Sequence, residues 1–301
     1  MRKFLTLFAI FAMLVSCSDS PETKKQPFLF KNSKDKTSYV LGAINASTIS
    51  RSGQSTFENL DKEQLIKGFN MNLNAKDTKG CKESMQKLFG PTYQDFNKRY
   101  LKEGCLSMGR LAGSAFYEDI MKLGGLDLVN FEYVKKGFAD GLYKRDTLVS
   151  KQEMQQIMQQ FITDMNSANG IRMMENAKKI KGAQVFENGI VLETIKAGSG
   201  GFPGAKDDVK VHYVLMNAAG DTIQDSKKMN LKNGKVEPVP LQLDGGVIAG
   251  WSFVLPKMRK GGTYRTYIPW ELAYGEEGGK ESLCFVIDLV DYAPAGTFVK
   301  P

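Results

Sequence analysis

Two periodicities divide the chain. Between Val209 and Tyr292 apolar and polar residues alternate at period two. The runs are VKVHYVLMN, GDTIQDS, GGTYRTYIP and LCFVIDLVDY, with Gly, Asp or Pro at the joints. Such alternation sets one face of a strand on a core and the other in water. Upstream, the spacing changes to three and four. Met154, Ile157, Met158, Phe161, Ile162 and Met165 form one stripe, behind a Ser150 N-cap with Glu153 three positions on. The stripe predicts a long helix running towards Lys181, with Asn169-Gly170 as the place where it could kink. The strand runs bracket a compact apolar cluster that contains a Trp, Val247-Ile248-Ala249-Gly250-Trp251. Asn188-Gly189 and the Gly-rich stretch 196–206 mark the first turns of the strand region. The fold class expected is α+β: an all-helical N-terminal half, a long connecting helix, and a C-terminal antiparallel sheet wrapped around a short helix.

The helical half repeats itself. Lys67-Gly68-Phe69 and Lys136-Gly137-Phe138 lie 69 positions apart. The same offset relates Asp77-Thr78 to Asp146-Thr147, Lys82 to Lys151, Met85 to Met154 and Leu88 to Ile157. Ser38-Tyr39-Val40-Leu41-Gly42 matches Cys105-Leu106-Ser107-Met108-Gly109 more loosely. Each copy reads as a helix, a loop, a second helix through Lys-Gly-Phe, a turn at Asp-Thr and a third helix. The expected boundaries are 37–101 for the first copy, 102–182 for the second with its connecting helix, and 183–301 for the strand domain. Each copy leaves an apolar face that another copy can cover.

The N-terminus supplies an address. Arg2 and Lys3 precede an apolar run, Phe4 to Val15, too short to span a bilayer and suited to a signal peptide. Leu14-Val15-Ser16-Cys17 has the form of a bacterial lipobox. Residues 1–16 are then the lipoprotein signal peptide, Cys17 the lipidated first residue, and 17–36 a flexible polar tether. The competing reading is an ordinary signal peptide. The formal charge is +8 over 301 residues. Basic and acidic residues are interleaved, with no basic run carrying aromatics, so nucleic acid is not an expected partner. Cys284 reads as a core residue, and Cys81 and Cys105 could pair. His212 is the single histidine and no C-x-x-C occurs, so neither a metal site nor a cofactor is expected.

The strand domain resembles the FKBP-type peptidyl-prolyl cis-trans isomerases. The resemblance rests on Val-His-Tyr213, Gln-Asp225-Ser, Val247-Ile248-x-Gly-Trp251, Leu-Ala-Tyr274-Gly and Leu-Cys-Phe285. It implies a pocket in which Trp251 underlies a proline ring and the Ile248 backbone N–H meets the substrate carbonyl. Tyr213 and Phe285 wall that pocket, Tyr274 donates its hydroxyl to the peptide, and Asp225 lies beside it. Val247, Val239 and Gln224 fall at further substrate-contacting positions. The helical copies resemble the N-terminal dimerisation module of the family's macrophage-infectivity-potentiator branch. Two chains there exchange helices; here the tandem copies are expected to form either that unit within one monomer or a longer arm on a homodimer. The implied function is isomerisation of X-Pro bonds in unfolded or proline-containing clients exported to the bacterial cell envelope. Four departures bear on activity, one of them Pro256, which falls in the short helix after Trp251 where relatives seldom carry a proline and would shorten it. Gln224 replaces a phenylalanine, Val239 stands near a usual aromatic, and the loop after Ala-Tyr-Gly is only Glu276-Glu277-Gly278-Gly279-Lys280-Glu281. They leave a second reading open, a lipid-anchored client binder with a degenerate pocket.

Overall fold

The structure is a computed structural model describing residues 30–51, 58–74, 77–92, 95–145, 148–232 and 235–300. The signal peptide, Cys17, positions 18–29 of the tether and Asp146-Thr147 lie outside the described residues. The chain forms two compact units, Met1–Phe161 and Ile162–Pro301.

Helices α1 (Ser33–Arg51), α2 (Lys62–Asn72), α3 (Cys81–Phe89), α4 (Leu101–Lys122) and α5 (Phe131–Leu142) belong to the first unit, and α6 (Lys151–Ala177) begins in it. Polar side chains set the starts. Asp61 accepts from the Gln64 N–H, Asn130 from Glu132 and Ser150 from Glu153, at 3.1, 3.2 and 3.2 Å. Each such cap contributes about 1 kcal/mol.

The packing crosses between the copies. α1 lies on α5, and α2 lies on α4. Glycine makes both approaches close. A Cβ on Gly42 would collide with the Val134 carbonyl, and one on Gly137 with the Tyr39 carbonyl. At the other crossing the colliding pairs would be Gly109 with Leu65 and Gly68 with Leu106. Gly68 and Gly137, like Leu65 and Val134, stand 69 apart in sequence. The two crossings are therefore the same contact made twice. Phe69 and Phe138, also 69 apart, stack on each other with centroids 3.6 Å apart and planes 3° from parallel. Polar contacts repeat as well: Lys36 pairs with Glu153 between α1 and α6, and Glu103 accepts from the Ser84 hydroxyl and pairs with Lys87 between α4 and α3.

The second unit is a seven-stranded antiparallel sheet in the order β1 (Gln184–Val185), β2 (Val191–Lys196), β8 (Thr263–Ile268), β9 (Leu283–Ala293), β3 (Asp208–Asn217), β4 (Thr222–Asp225), with β7 (Val239–Gln242) also on β3. A short helix α7 (Ser226–Met229) and the ribbon β5 (Leu231–Lys232) with β6 (Lys235–Val236) join β4 to β7. Helix α8 (Ala249–Val254) packs Trp251 and Val254 onto the core face with Val211, Leu215, Tyr264, Ile268, Phe285 and Ile287. Pro256 falls in a 3-10 turn, Leu255–Lys257, that follows α8, as its missing N–H dictates. The end of α6 covers the opposite face, where Met174 and Ala177 meet Val191 and Tyr267. α6 is one helix through Asn169-Gly170, and Gly170 makes a close approach to Ser282. Cys81, Cys105 and Cys284 are buried free thiols, and the pairing left open for Cys81 and Cys105 is not made.

Candidate functional site

Three aromatic rings meet on the core face. Period-two register brings Tyr213 on β3 to the same side as Phe285 on the neighbouring β9, and α8 lowers Trp251 between them. Each ring is edge-on to the others. Centroid distances are 5.3 Å for Tyr213–Trp251, 5.1 Å for Trp251–Phe285 and 6.3 Å for Tyr213–Phe285. Trp251 and Phe285 are buried and Tyr213 half-buried, so the group forms the floor and inner wall of an apolar site. Val247 and Ile248 pack on the same core. The carbonyl of Ile248, the N-cap of α8, accepts from the Trp251 N–H at 2.9 Å. The Ile248 N–H itself donates to no group among the described residues.

Tyr274 stands at the rim, 59% exposed. Burial lifts the Tyr213 phenol above its ordinary value, and the nearby Tyr274 phenol adds to the rise. The Tyr213 hydroxyl thus remains a protonated donor at neutral pH. The Trp251 Nε1 is buried with no partner among the described residues. Among the described residues no acid–base pair is assembled beside the rings.

The remaining sequence-derived positions lie on β4 and β7, the strands paired with β3 beside β9. Asp225 caps α7, accepting from the Lys227 N–H at 3.0 Å and pairing with Lys228 at 3.4 Å. It lies next to Ser226, whose Oγ accepts from the Tyr213 N–H at 2.8 Å. Gln224 sits on β4 opposite Leu215. Val239 sits on β7 opposite Val211 and is not among the apolar side chains packed on the core. The short loop after Tyr274 is closed by its own backbone: Gly275 N–H to Trp270 O at 3.0 Å, Gly278 N–H to Tyr274 O at 3.1 Å and Gly279 N–H to Glu276 O at 2.9 Å. Sequence reasoning passed over Asn166, whose Nδ2 donates to the Gly279 carbonyl at 3.1 Å. Only its place on the α6 face one turn before Gly170 pointed to it.

Comparison with known proteins bears on this geometry. The sequence model of the FKBP-type peptidyl-prolyl cis-trans isomerases matches residues 200–290. The peptidyl-prolyl cis-trans isomerase Mip of Coxiella burnetii is 30% identical over 206 residues, 61% of this chain and 83% of Mip. This chain belongs to the FKBP-type peptidyl-prolyl cis-trans isomerase family. FkpA of Escherichia coli K12 is 32% identical over 181 residues, 54% of this chain and 63% of FkpA, so the match spans less than two thirds of that relative. The crystal structure of Escherichia coli FkpA aligns with 98% of its chain and 66% of this one, at 27% identity and a TM-score of 0.40. Within an FKBP-type domain the edge-on rings Tyr213, Trp251 and Phe285 fall on three separate sequence motifs, and all three motifs lie inside the matched span.

Proposed function

We propose that the chain isomerises X-Pro bonds in polypeptide clients. The supporting observation is the trio of edge-on rings with a hydroxyl-bearing Tyr274 at its rim and an Ile248 N–H beside it that has no acceptor among the described residues. The uncatalysed barrier, about 18–20 kcal/mol, comes from amide resonance. It falls when the imide leaves water and its twisted form, whose carbonyl has lost conjugation, is the form best held. Trp251 offers an apolar floor for the proline ring, and Tyr213 and Phe285 offer walls. The Ile248 N–H and the Tyr274 hydroxyl are donors for the client's carbonyl groups. Nothing in that scheme requires a nucleophile or a proton relay. Cis-to-trans relaxation of a short Phe-Pro peptide tests it. The protein is expected to accelerate relaxation, and Tyr274→Phe, an exposed change that spares the core, to remove most of the acceleration. A folded protein giving none would overturn the proposal.

Two further properties follow the same reading. The helical copies complete each other's contacts, so the mature chain is a monomer with an internal pseudo-dimer. Light scattering showing a tight dimer would count against this. Cys17 is the lipid anchor that holds the chain in the cell envelope, and among the described residues no helix is long and apolar enough to cross a membrane. Intact mass of the membrane-extracted protein reads the acyl chains directly. A client-gripping role beside catalysis draws support from the exposed Ile223, Met229 and Val236 between β4 and β7. A Tyr274→Phe protein that still suppresses aggregation of an unfolded client would separate the two roles.

A further inference from the structure

Tyr274 is exposed, and its loop is short. Something else must fix where its hydroxyl points. Within the second unit, one face of α6 touches the loop at two places four residues apart, one helical turn. Asn166 Nδ2 donates to the Gly279 carbonyl at 3.1 Å. One turn on, Gly170 lies so close to Ser282 that a Cβ there would stand 2.6 Å from its Oγ.

Both grips lead to Tyr274 through short hydrogen-bonded routes. Gly279 donates its N–H to Glu276, and its neighbour Gly278 donates to the Tyr274 carbonyl. Buried Ser282 accepts the Trp270 N–H at 3.2 Å, and Trp270 opens the 3-10 turn Trp270–Leu272 that delivers Ala273 and Tyr274. Lys280 adds a clasp, pairing with Glu276 at 3.1 Å and lying 5.2 Å from the Trp270 ring centroid. The loop is thus a closed turn resting on the connecting helix.

We propose that α6 positions Tyr274 from outside the pocket, with Asn166 as the positioning residue and Gly170 as the gap that seats the loop. The proposal rests on the isomerase reading, and its test separates the two. Asn166→Leu removes the donor from a helix surface without disturbing the aromatic core. The expected loss in kcat/KM is roughly three- to tenfold, the range a single net hydrogen bond gives. It should appear mainly in kcat, with the melting temperature unchanged. Amide exchange over 275–280 should quicken by a similar factor. Gly170→Ala favours the helix locally, so loss of activity there with undiminished stability reports on the seat and not on the helix.

The discriminating measurement is a double-mutant cycle. When Tyr274→Phe is already present, Asn166→Leu should change kcat/KM less than about twofold, since coupled residues do not add. Equal losses with and without the Tyr274 hydroxyl would overturn the proposal, as would unchanged loop exchange. If the parent protein does not isomerise the peptide, the functional reading falls and loop exchange alone decides. Faster exchange in Asn166→Leu then upholds the brace, and unchanged exchange removes it.

Discussion

Trp251 holds the least compensated polar group in the site. Its ring is 4% exposed and its Nε1 lacks a partner among the described residues. Leaving a buried donor unmade costs about 1–3 kcal/mol. Trp251→Phe should therefore lose little stability, since the smaller ring forfeits contacts but removes the orphan. Trp251→Ala should cost about 3–5 kcal/mol. Urea unfolding compares them. The buried thiols give a pH dependence. Burial raises Cys105 from 9.0 to about 11 and Cys284 from 9.0 to about 12. A group whose pKa rises on folding lends stability below its ordinary value and withdraws it as pH climbs through the folded one. Stability should hold up to 9.0 and erode above it, and alkylation of both thiols at neutral pH should require unfolding; unfolding midpoints across that range, with mass spectrometry of the alkylated chain, check this. At this scale the sequence was most legible where side-chain type sets position. Tyr213, Trp251 and Phe285 come together because register and one short helix leave them no other face. Asp225 was harder, because an acid ahead of Ser-Lys-Lys serves its own helix start as readily as a pocket.

Among the elements, existence was easier to read than partnership. The stripe on α6 and the Lys-Gly-Phe repeats announced helices, since their periodicity is local. Nothing local says that α1 chooses α5. That choice depends on where glycine removes a Cβ opposite a carbonyl, a property of two surfaces together. Gly68→Ala and Gly137→Ala should each cost about 1–3 kcal/mol through overpacking, and by similar amounts because the two crossings are equivalent. Gly80, open on all sides, has a φ of +73° and no neighbour within 4 Å, so Gly80→Ala tests conformational strain without collision. Thermal melts of the three variants separate the two causes. Gly170 in α6 teaches the same lesson. A helical glycine marks either weakness or proximity, and only the neighbour distinguishes them.

For the molecule as a whole, the α+β division was legible because the period changes from between three and four to two along the chain. That the sheet is antiparallel followed from the FKBP resemblance, and its strand order from the structure alone. The crossed packing of the copies has a consequence in time. A helix that emerges from the ribosome early, α1 or α2, has no partner until α4 and α5 follow. Between residue 72 and residue 142, translation at 5–20 residues per second takes roughly 4 to 14 s. During that delay the first copy carries an uncovered seam, and a holdase bound to the nascent chain has a natural footing there. The chain connection between α3 and α4 replaces a collision between molecules with one inside a molecule. Cutting it should make the melting temperature of the helical unit rise with protein concentration, where the uncut chain shows no such dependence.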